Sequence, residues 1–373
     1  MTPLGREIAS LIAVEGPISV ARYMALCLGH PTLGYYATRD PFGADGDFTT
    51  APEISQMFGE LIGLWCAEAW AAMGAPPRVV LVELGPGRGT LMADLLRAAR
   101  AAPGFREALD VTLVETSPTL RAVQARTLEG AGVPVRWADS VHESLDAAPP
   151  EGKRPLPLLV VANEFFDALP VRQFVRIADG WRERVVGLGP GGELGLGLAP
   201  DAPTDVALPD CPEGDLRELC APALDIVASL ADHMARHGGA GLVVDYGYVS
   251  GAGDTLQAMA RHAFVDPLAA PGEADLTAHV DFAALALAAR GRGAAVSRPI
   301  AQADLLERLG LAARAERLSA QATADQRAGI AAAVARLTDR APTGMGALFK
   351  ALAFADPRLG APPAFDLADP RPA

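Results

Sequence analysis

A chain of 373 residues, half of them hydrophobic, carries enough apolar side chains for one large core or two modest ones. Its 45 acidic against 32 basic residues leave a formal net charge of −13. That balance excludes a general nucleic-acid binder, which needs surplus cations to displace counterions, and it favours a basic partner through long-range attraction.

Cys27, Cys66, Cys211 and Cys220 are scattered, with no C-x-x-C pair, which suits a reducing compartment better than a disulfide framework. The opening stretch MTPLGREIASLIAVEG contains Glu7 and only a short apolar run, so it reads as neither a signal nor a transit peptide. No window approaches the roughly eighteen consecutive apolar residues that suggest a membrane span.

Residues 3–15 and 19–28 read as two short helices separated by Gly16-Pro17, with Ser19 as an N-cap. Residues 37–50 are polar and glycine-containing, a loop. Thr50-Ala51-Pro52-Glu53 matches a capping box with proline just inside the helix start. Ile54, Met57, Phe58, Leu61, Ile62 and Trp65 follow at helical spacing, a core-facing stripe that ends before Gly74. Asp47 and Glu53 flank a loop placed to close over a site, although the capping role accounts for Glu53 without one. Residues 1–74 are thus expected to form an N-terminal helical cap, and 75–373 a core domain.

That core opens on VVLVELGPGRGT at 79–90, the stretch that organises the rest. Its apolar run ending in Glu83 reads as a buried parallel strand. Gly85, Gly87 and Gly89 follow, and a helix runs from Thr90 to Arg100. A strand, a glycine turn and a helix N-terminus make a nucleotide site, because glycine lets ligand atoms approach the backbone. A dinucleotide fingerprint needs its third glycine at position 90, which is Thr, so a nicotinamide-dependent oxidoreductase fails on spacing. The observed E-x-G-x-G-x-G is the form used by S-adenosylmethionine-dependent methyltransferases. Gly85, Gly87 and Gly89 are therefore assigned to backbone contact with that cofactor. Glu83 is assigned to its methionine ammonium, or else to a favourable place at the following helix dipole.

A second strand at 111–114 ends at Glu115, and a third at 135–137 ends at Ala138-Asp139. A proline-rich linker at 147–157 leads to a fourth, 158–162, followed by Asn163-Glu164-Phe165-Phe166-Asp167. In an open parallel sheet the carboxyl ends of strands line the ligand crevice. Glu115 offers two acceptor oxygens for the ribose hydroxyls, unless it is simply an exposed strand-end acid. Asp139 is assigned to the adenine amino group. Residues 171–199 alternate between glycine turns, an inserted β-hairpin or small sheet within an insertion at about 170–220.

Doubly wound order resumes with a helix at 221–237 and a strand at 241–244 that ends in Asp245-Tyr246-Gly247. Asp245 could wall the crevice, and a buried strand end explains it equally. Residues 262–281 look loop-rich, 302–340 helical, and Ala347 to Ala355 is a helix or, from its place in the order, a final strand. His233 and His237 stand at a zinc-compatible spacing, but no H-E-x-x-H glutamate accompanies them and imidazoles in a last turn favour the helix dipole anyway, so no metal is expected. The expected fold class is α/β, a Rossmann-like sheet with a helical cap.

The blocks GDFTTAPEISQMFGELIG at 46–63, VELGPGRGTLMADLLR at 82–97, ANEFFDALP at 162–170, VVDYG at 243–247 and APGEADLTAHVDF at 270–282 resemble the MidA family, in this order and over almost the whole chain. Its members are methyltransferases related to the mitochondrial complex I assembly factor that methylates arginine. The resemblance implies a class I methyltransferase sheet, S-adenosyl-L-methionine as cofactor with Asn163 among its contacts, and a cytoplasmic enzyme in bacteria or a mitochondrial matrix enzyme in eukaryotes. It also implies symmetric dimethylation of an arginine on the 49-kDa-type subunit of NADH-quinone oxidoreductase during assembly. Glu164 and Asp167 then fall where the transferred methyl would point, two carboxylates that can orient a guanidinium and compensate its charge. Ordinary turn hydrogen bonds are the alternative for both. A small-molecule N- or O-methyltransferase shares the fold, and an assembly or binding factor with little turnover is a reading from a different class.

Overall fold

The computed structural model describes residues 1–38, 49–146, 155–251 and 253–368. The chain divides into two compact units, one of Met1–Phe48, Asp167–Ala223 and Ser250–His279, the other of Thr49–Phe166, Leu224–Val249 and Val280–Ala373.

The second unit is built on a sheet. Its principal strands are Val79–Leu84, Leu109–Val114, Val135–Ala138, Leu158–Asn163, Gly239–Tyr248 and Phe349–Ala355. Across the sheet they run Phe349, Gly239, Leu158, Val79, Leu109 and Val135 (each strand named by its first residue), with Ala295–Val296 beyond the Phe349 strand. All pairs are parallel except those made by the Phe349 strand, which runs antiparallel to the Gly239 strand. Val79, Leu81, Val82 and Leu84 are all buried, so consecutive side chains on both faces are covered, which is why the run is apolar throughout rather than alternating. The chain leaves the Val79 strand outward to Leu109 and Val135, then returns to its other side at Leu158. That reversal is a topological switch point, and it puts Gly85 and Glu164 at neighbouring strand ends.

Helix Gln56–Ala72 belongs to this unit and crosses helix Thr90–Ala99 closely. A Cβ at Gly59 would lie 2.6 Å from Asp94 Cβ, and one at Gly63 would lie 2.9 Å from the Leu95 carbonyl, so only glycine permits the approach. Glu60, 5% exposed, accepts from Arg97 Nε (3.1 Å) and from Arg314 Nε and Nη2 (2.6 and 2.9 Å), which satisfies a carboxylate otherwise costly to bury. Met57, Phe58, Leu61, Ile62 and Trp65 fill the same core as Leu91, Leu95 and Val79.

The first unit contains helices Pro3–Glu15, Val20–Gly29 and Tyr35–Thr38. Strands Ile18–Ser19, Gly180–Leu188, Arg172–Ile177 and Leu216–Leu219 form an antiparallel sheet in that order, with Leu194–Leu198 also paired to Gly180–Leu188. Leu4, Ile8, Tyr23 and Met24 from the helices pack with Val171, Val186 and Leu276 in its core.

Several expectations change. The 1–74 cap does not separate as one body: residues 49–74 pack with the sheet, because the Gly59 and Gly63 crossing binds their helix to Thr90–Ala99, whereas the N-terminal helices pack with the insertion. Thr50 makes no side-chain cap bond, and extended backbone at Ser55 (φ −161°, ψ 134°) breaks the helix into Ala51–Ile54 and Gln56–Ala72, the second capped by Ser55 Oγ accepting from Met57 N at 3.2 Å. A full capping box instead joins Thr323 and Gln326, at 3.3 and 2.9 Å. The stretch taken as loop-rich holds strands Ala263–Val265 and Asp275–Thr277, both paired with Gln257–Ala260. Ser19 caps its helix as expected, and helices Gln302–Arg308, Leu311–Ser319 and Ala324–Leu337 fill the expected helical region. Asp47 lies outside the described residues.

Gly63→Val is expected to destabilise the protein by about 1–3 kcal/mol through overpacking against Leu95 and Ala98. Denaturant unfolding measures it, and an unchanged midpoint would refute the close helix crossing.

Candidate active site

The turn after the Val79 strand takes left-handed backbone three times, at Gly85 (φ 62°), Gly87 (φ 53°) and Gly89 (φ 81°). Gly85 has a second reason to lack a side chain, since a Cβ there would stand 2.9 Å from Phe165 Cδ2. Gly89 then caps helix Thr90–Ala99. Thr90 Oγ1 donates to Glu53 Oε1 at 2.5 Å, so the carboxylate expected to close a capping box is used to tie Ala51–Ile54 to the start of that helix.

Glu83 is 3% exposed, and its Oε2 is buried with no hydrogen-bond partner. Burial pushes its carboxyl up to about 8. An orphaned buried acceptor at a strand end fits a ligand ammonium, which would restore the charge that burial suppresses. Glu115, next to the end of the Leu109 strand, is half-buried. Its Oε1 accepts from Ser117 N (2.8 Å) and its Oε2 from Gln124 Nε2 (3.1 Å). Burial raises its pKa, opposed by these two donors.

Gln124 was not anticipated. Fully buried, its Nε2 also donates to the Gly87 carbonyl (2.8 Å), while its Oε1 accepts from Trp137 Nε1 (2.8 Å). One amide thus joins the glycine turn, the Glu115 carboxylate and the third strand. The sequence did hold a signal, an amide four residues after Leu120 on the buried stripe of helix Pro118–Thr127. Asp139 is exposed after the Val135 strand; Arg121 Nη2 donates to its Oδ1 at 2.5 Å.

The Leu158 strand ends at Asn163, and Glu164 follows with φ 51°, a left-handed conformation rare for a glutamate. Glu164 Oε1 accepts from Ala51 N (3.0 Å) and from Asn163 Nδ2 (3.1 Å). With its Nδ2 so used, Asn163 keeps Oδ1 buried and without a partner. The Phe165 and Phe166 amides donate to Asp245 Oδ2 at 3.1 and 2.9 Å, so Asp245 anchors this turn. The structure therefore brings Glu83, the three glycines, Glu115, Asn163 and Glu164 to the carboxyl edge of one sheet. Asp167 belongs to the other unit, where its carbonyl accepts from Ala278 N at 2.9 Å and its charge helps hold the buried Tyr36 hydroxyl protonated, after burial and Asp275. His233 Nε2 bonds the Leu156 carbonyl at 3.0 Å; among the described residues no group of three or more His, Cys, Asp or Glu is placed to hold a metal.

Residues 61–300 match the model of a family described as S-adenosyl-L-methionine-dependent methyltransferases. The mitochondrial protein arginine methyltransferase NDUFAF7 of Danio rerio is 40% identical over 332 residues, spanning 82% of this chain and 76% of its own length. The Homo sapiens protein of the same name is 38% identical over 336 residues, 83% of this chain and 74% of its own. A crystal structure of a Burkholderia thailandensis protein bound to S-adenosyl-homocysteine superposes with a TM-score of 0.82 at 33% identity, covering 97% of this chain and 94% of that one. The glycine turn and the unpartnered Oε2 of Glu83 fit the same cofactor. The chain belongs to the S-adenosyl-L-methionine-dependent methyltransferases, in the family that includes NDUFAF7, and S-adenosyl-L-methionine is its cofactor.

Proposed function

We propose that the chain transfers methyl groups to an arginine of a protein substrate, and that the substrate is the 49-kDa-type subunit of NADH-quinone oxidoreductase. The observation that carries this reading is Glu164, a carboxylate held at the switch point of a methyltransferase sheet, in a chain 38–40% identical to proteins named protein arginine methyltransferases. The net charge of −13 suits a basic substrate. Symmetric dimethylarginine is the product we assign, and the bacterial cytoplasm or the mitochondrial matrix the place. Among the described residues no helix is long and apolar enough to cross a membrane.

When bound, the cofactor supplies a methyl already activated on a sulfonium, so positioning is most of what the protein contributes. Glu83 receives the ammonium; Glu115, steadied by Gln124 and Ser117, receives the ribose hydroxyls; Asn163 offers Oδ1, and Asp139 the adenine contact. Glu164 accepts N–H bonds from the guanidinium and fixes one nitrogen toward the methyl. It offsets the repulsion between two cations and accepts the proton released after transfer.

Three outcomes check the reading. Glu164→Gln should leave cofactor affinity intact and slow transfer ten- to over a hundredfold, from about 1.5–3 kcal/mol for a lost charge-assisted bond. Equal turnover in the variant would remove the residue from the mechanism.

The second is a pH effect. Burial raises the Glu83 carboxyl to about 8, above its ordinary 4.5. Between these values the unfolded chain has released a proton that the cofactor-free fold retains, so Glu83 contributes a loss of stability as pH rises through that window. Glu83→Gln cannot ionise. Its melting temperature relative to wild type should climb from pH 5 to pH 8 without cofactor, while calorimetry shows weakened S-adenosyl-homocysteine binding. A pH-independent difference contradicts the assignment.

The third addresses the substrate. Mass spectrometry of the 49-kDa-type subunit, from cells with and without this chain, should find dimethylarginine only in the former. Identical methylation in both would make the partner wrong.

A further inference from the structure

Asp245 ends the unbroken buried run of the Gly239 strand, and its side chain is fully enclosed. Its Oδ2 accepts the consecutive amides of Phe165 (3.1 Å) and Phe166 (2.9 Å), and its Oδ1 accepts from Tyr246 N (2.9 Å). One residue earlier, the Val244 carbonyl accepts from Glu164 N at 2.9 Å. The chain is thus gripped on both sides of Glu164 by neighbouring residues of one strand. Between those grips Glu164 has φ 51°, which a glutamate keeps only where its surroundings over-determine it. Three amides converge on two oxygens, and a carboxylate can accept from all of them. An asparagine has one acceptor oxygen, and its NH2 would face an N–H.

We propose that Asp245 is a positioning residue for methyl transfer, holding the 163–166 turn left-handed so that the Glu164 carboxylate is presented at the carboxyl edge of the sheet. It touches neither cofactor nor methyl acceptor; it acts through the backbone of Glu164. This rests on the role given to Glu164 above.

The full-length chain is tested as Asp245→Asn, Glu164→Gln and the double variant. The acceptor pool is protein extract from cells lacking the chain, and the donor is methyl-labelled S-adenosylmethionine. Asp245→Asn should keep its KM for the donor and its affinity for S-adenosyl-homocysteine. Its rate should fall by about a hundredfold, as for a misplaced catalytic group, and the Phe165 and Phe166 amides should lose protection from hydrogen exchange. The double variant should be no slower than the slower single one. A wild-type rate in Asp245→Asn, lost cofactor affinity or multiplying rate losses would overturn the proposal. A crippled Glu164→Gln beside an intact Asp245→Asn sinks this inference alone. A fully active Glu164→Gln, or a wild type that labels no protein, removes the role of Glu164 and this inference with it.

A second measurement does not depend on activity. Glycine accepts φ 51° freely, so Asp245→Asn should cost less stability in a Glu164→Gly background than in the wild type. Equal costs in the two backgrounds would show that Asp245 does not hold the turn, whereas folding of Asp245→Asn only in the glycine background would support it.

Discussion

The register between the Val79 and Leu158 strands is the constraint on which the chemistry of the sheet unit depends. Pairing Leu84 with Ala162 makes both strands release the chain at the same height, one into Gly85 and the other into Asn163-Glu164. Both exits turn at once through left-handed backbone, and Phe165 occupies the space a side chain at Gly85 would need. A slip of one residue would exchange the faces of Glu83 and Val82 and set the two turns at different heights, so the same pairing that closes the sheet also aligns them.

The acids at this edge differ in how they are satisfied, and the difference sorts their work. Asp245 takes three amides and is structural to its turn. Glu115 takes an amide and the Gln124 side chain, which leaves it oriented yet only half-buried. Glu83 keeps an oxygen without a partner, and its raised pKa follows from burial. Unmet hydrogen-bonding capacity, rather than the presence of a carboxylate, separates Glu83 from the turn anchor Asp245.

Much of the sheet was legible because buried parallel strands write themselves as apolar runs, and the glycines at 85, 87 and 89 as the only residues suited to repeated left-handed turns. The strand ends at Glu115 and Glu164 followed from that order. What was not legible depends on contacts far apart in sequence. Gly59 and Gly63 look like weak points of a helix until Thr90–Ala99 lies across them. Glu53 fits a capping box, but Ser55 is extended and Thr90 takes the carboxylate instead. Asp245 showed only as a strand end, since the amides it accepts come from about eighty residues earlier in the chain.

Strained backbone alone does not mark function in this chain. Arg261 and His262 are also left-handed, at φ 53° and 60°, and they join strands Gln257–Ala260 and Ala263–Val265 as a tight hairpin turn whose twist calls for that conformation. Glu164 has no hairpin to make. Asparagine or glycine would hold its backbone at lower cost, by about 1–3 kcal/mol on the usual scale for such strain. Its amide and the two that follow are instead bound by a buried neighbouring strand, and its side chain is met by Ala51 N and Asn163 Nδ2. A strained residue whose backbone and side chain are both held from outside, at the switch point of a cofactor sheet, has its carboxylate fixed in one direction, which is what the role proposed for Glu164 requires.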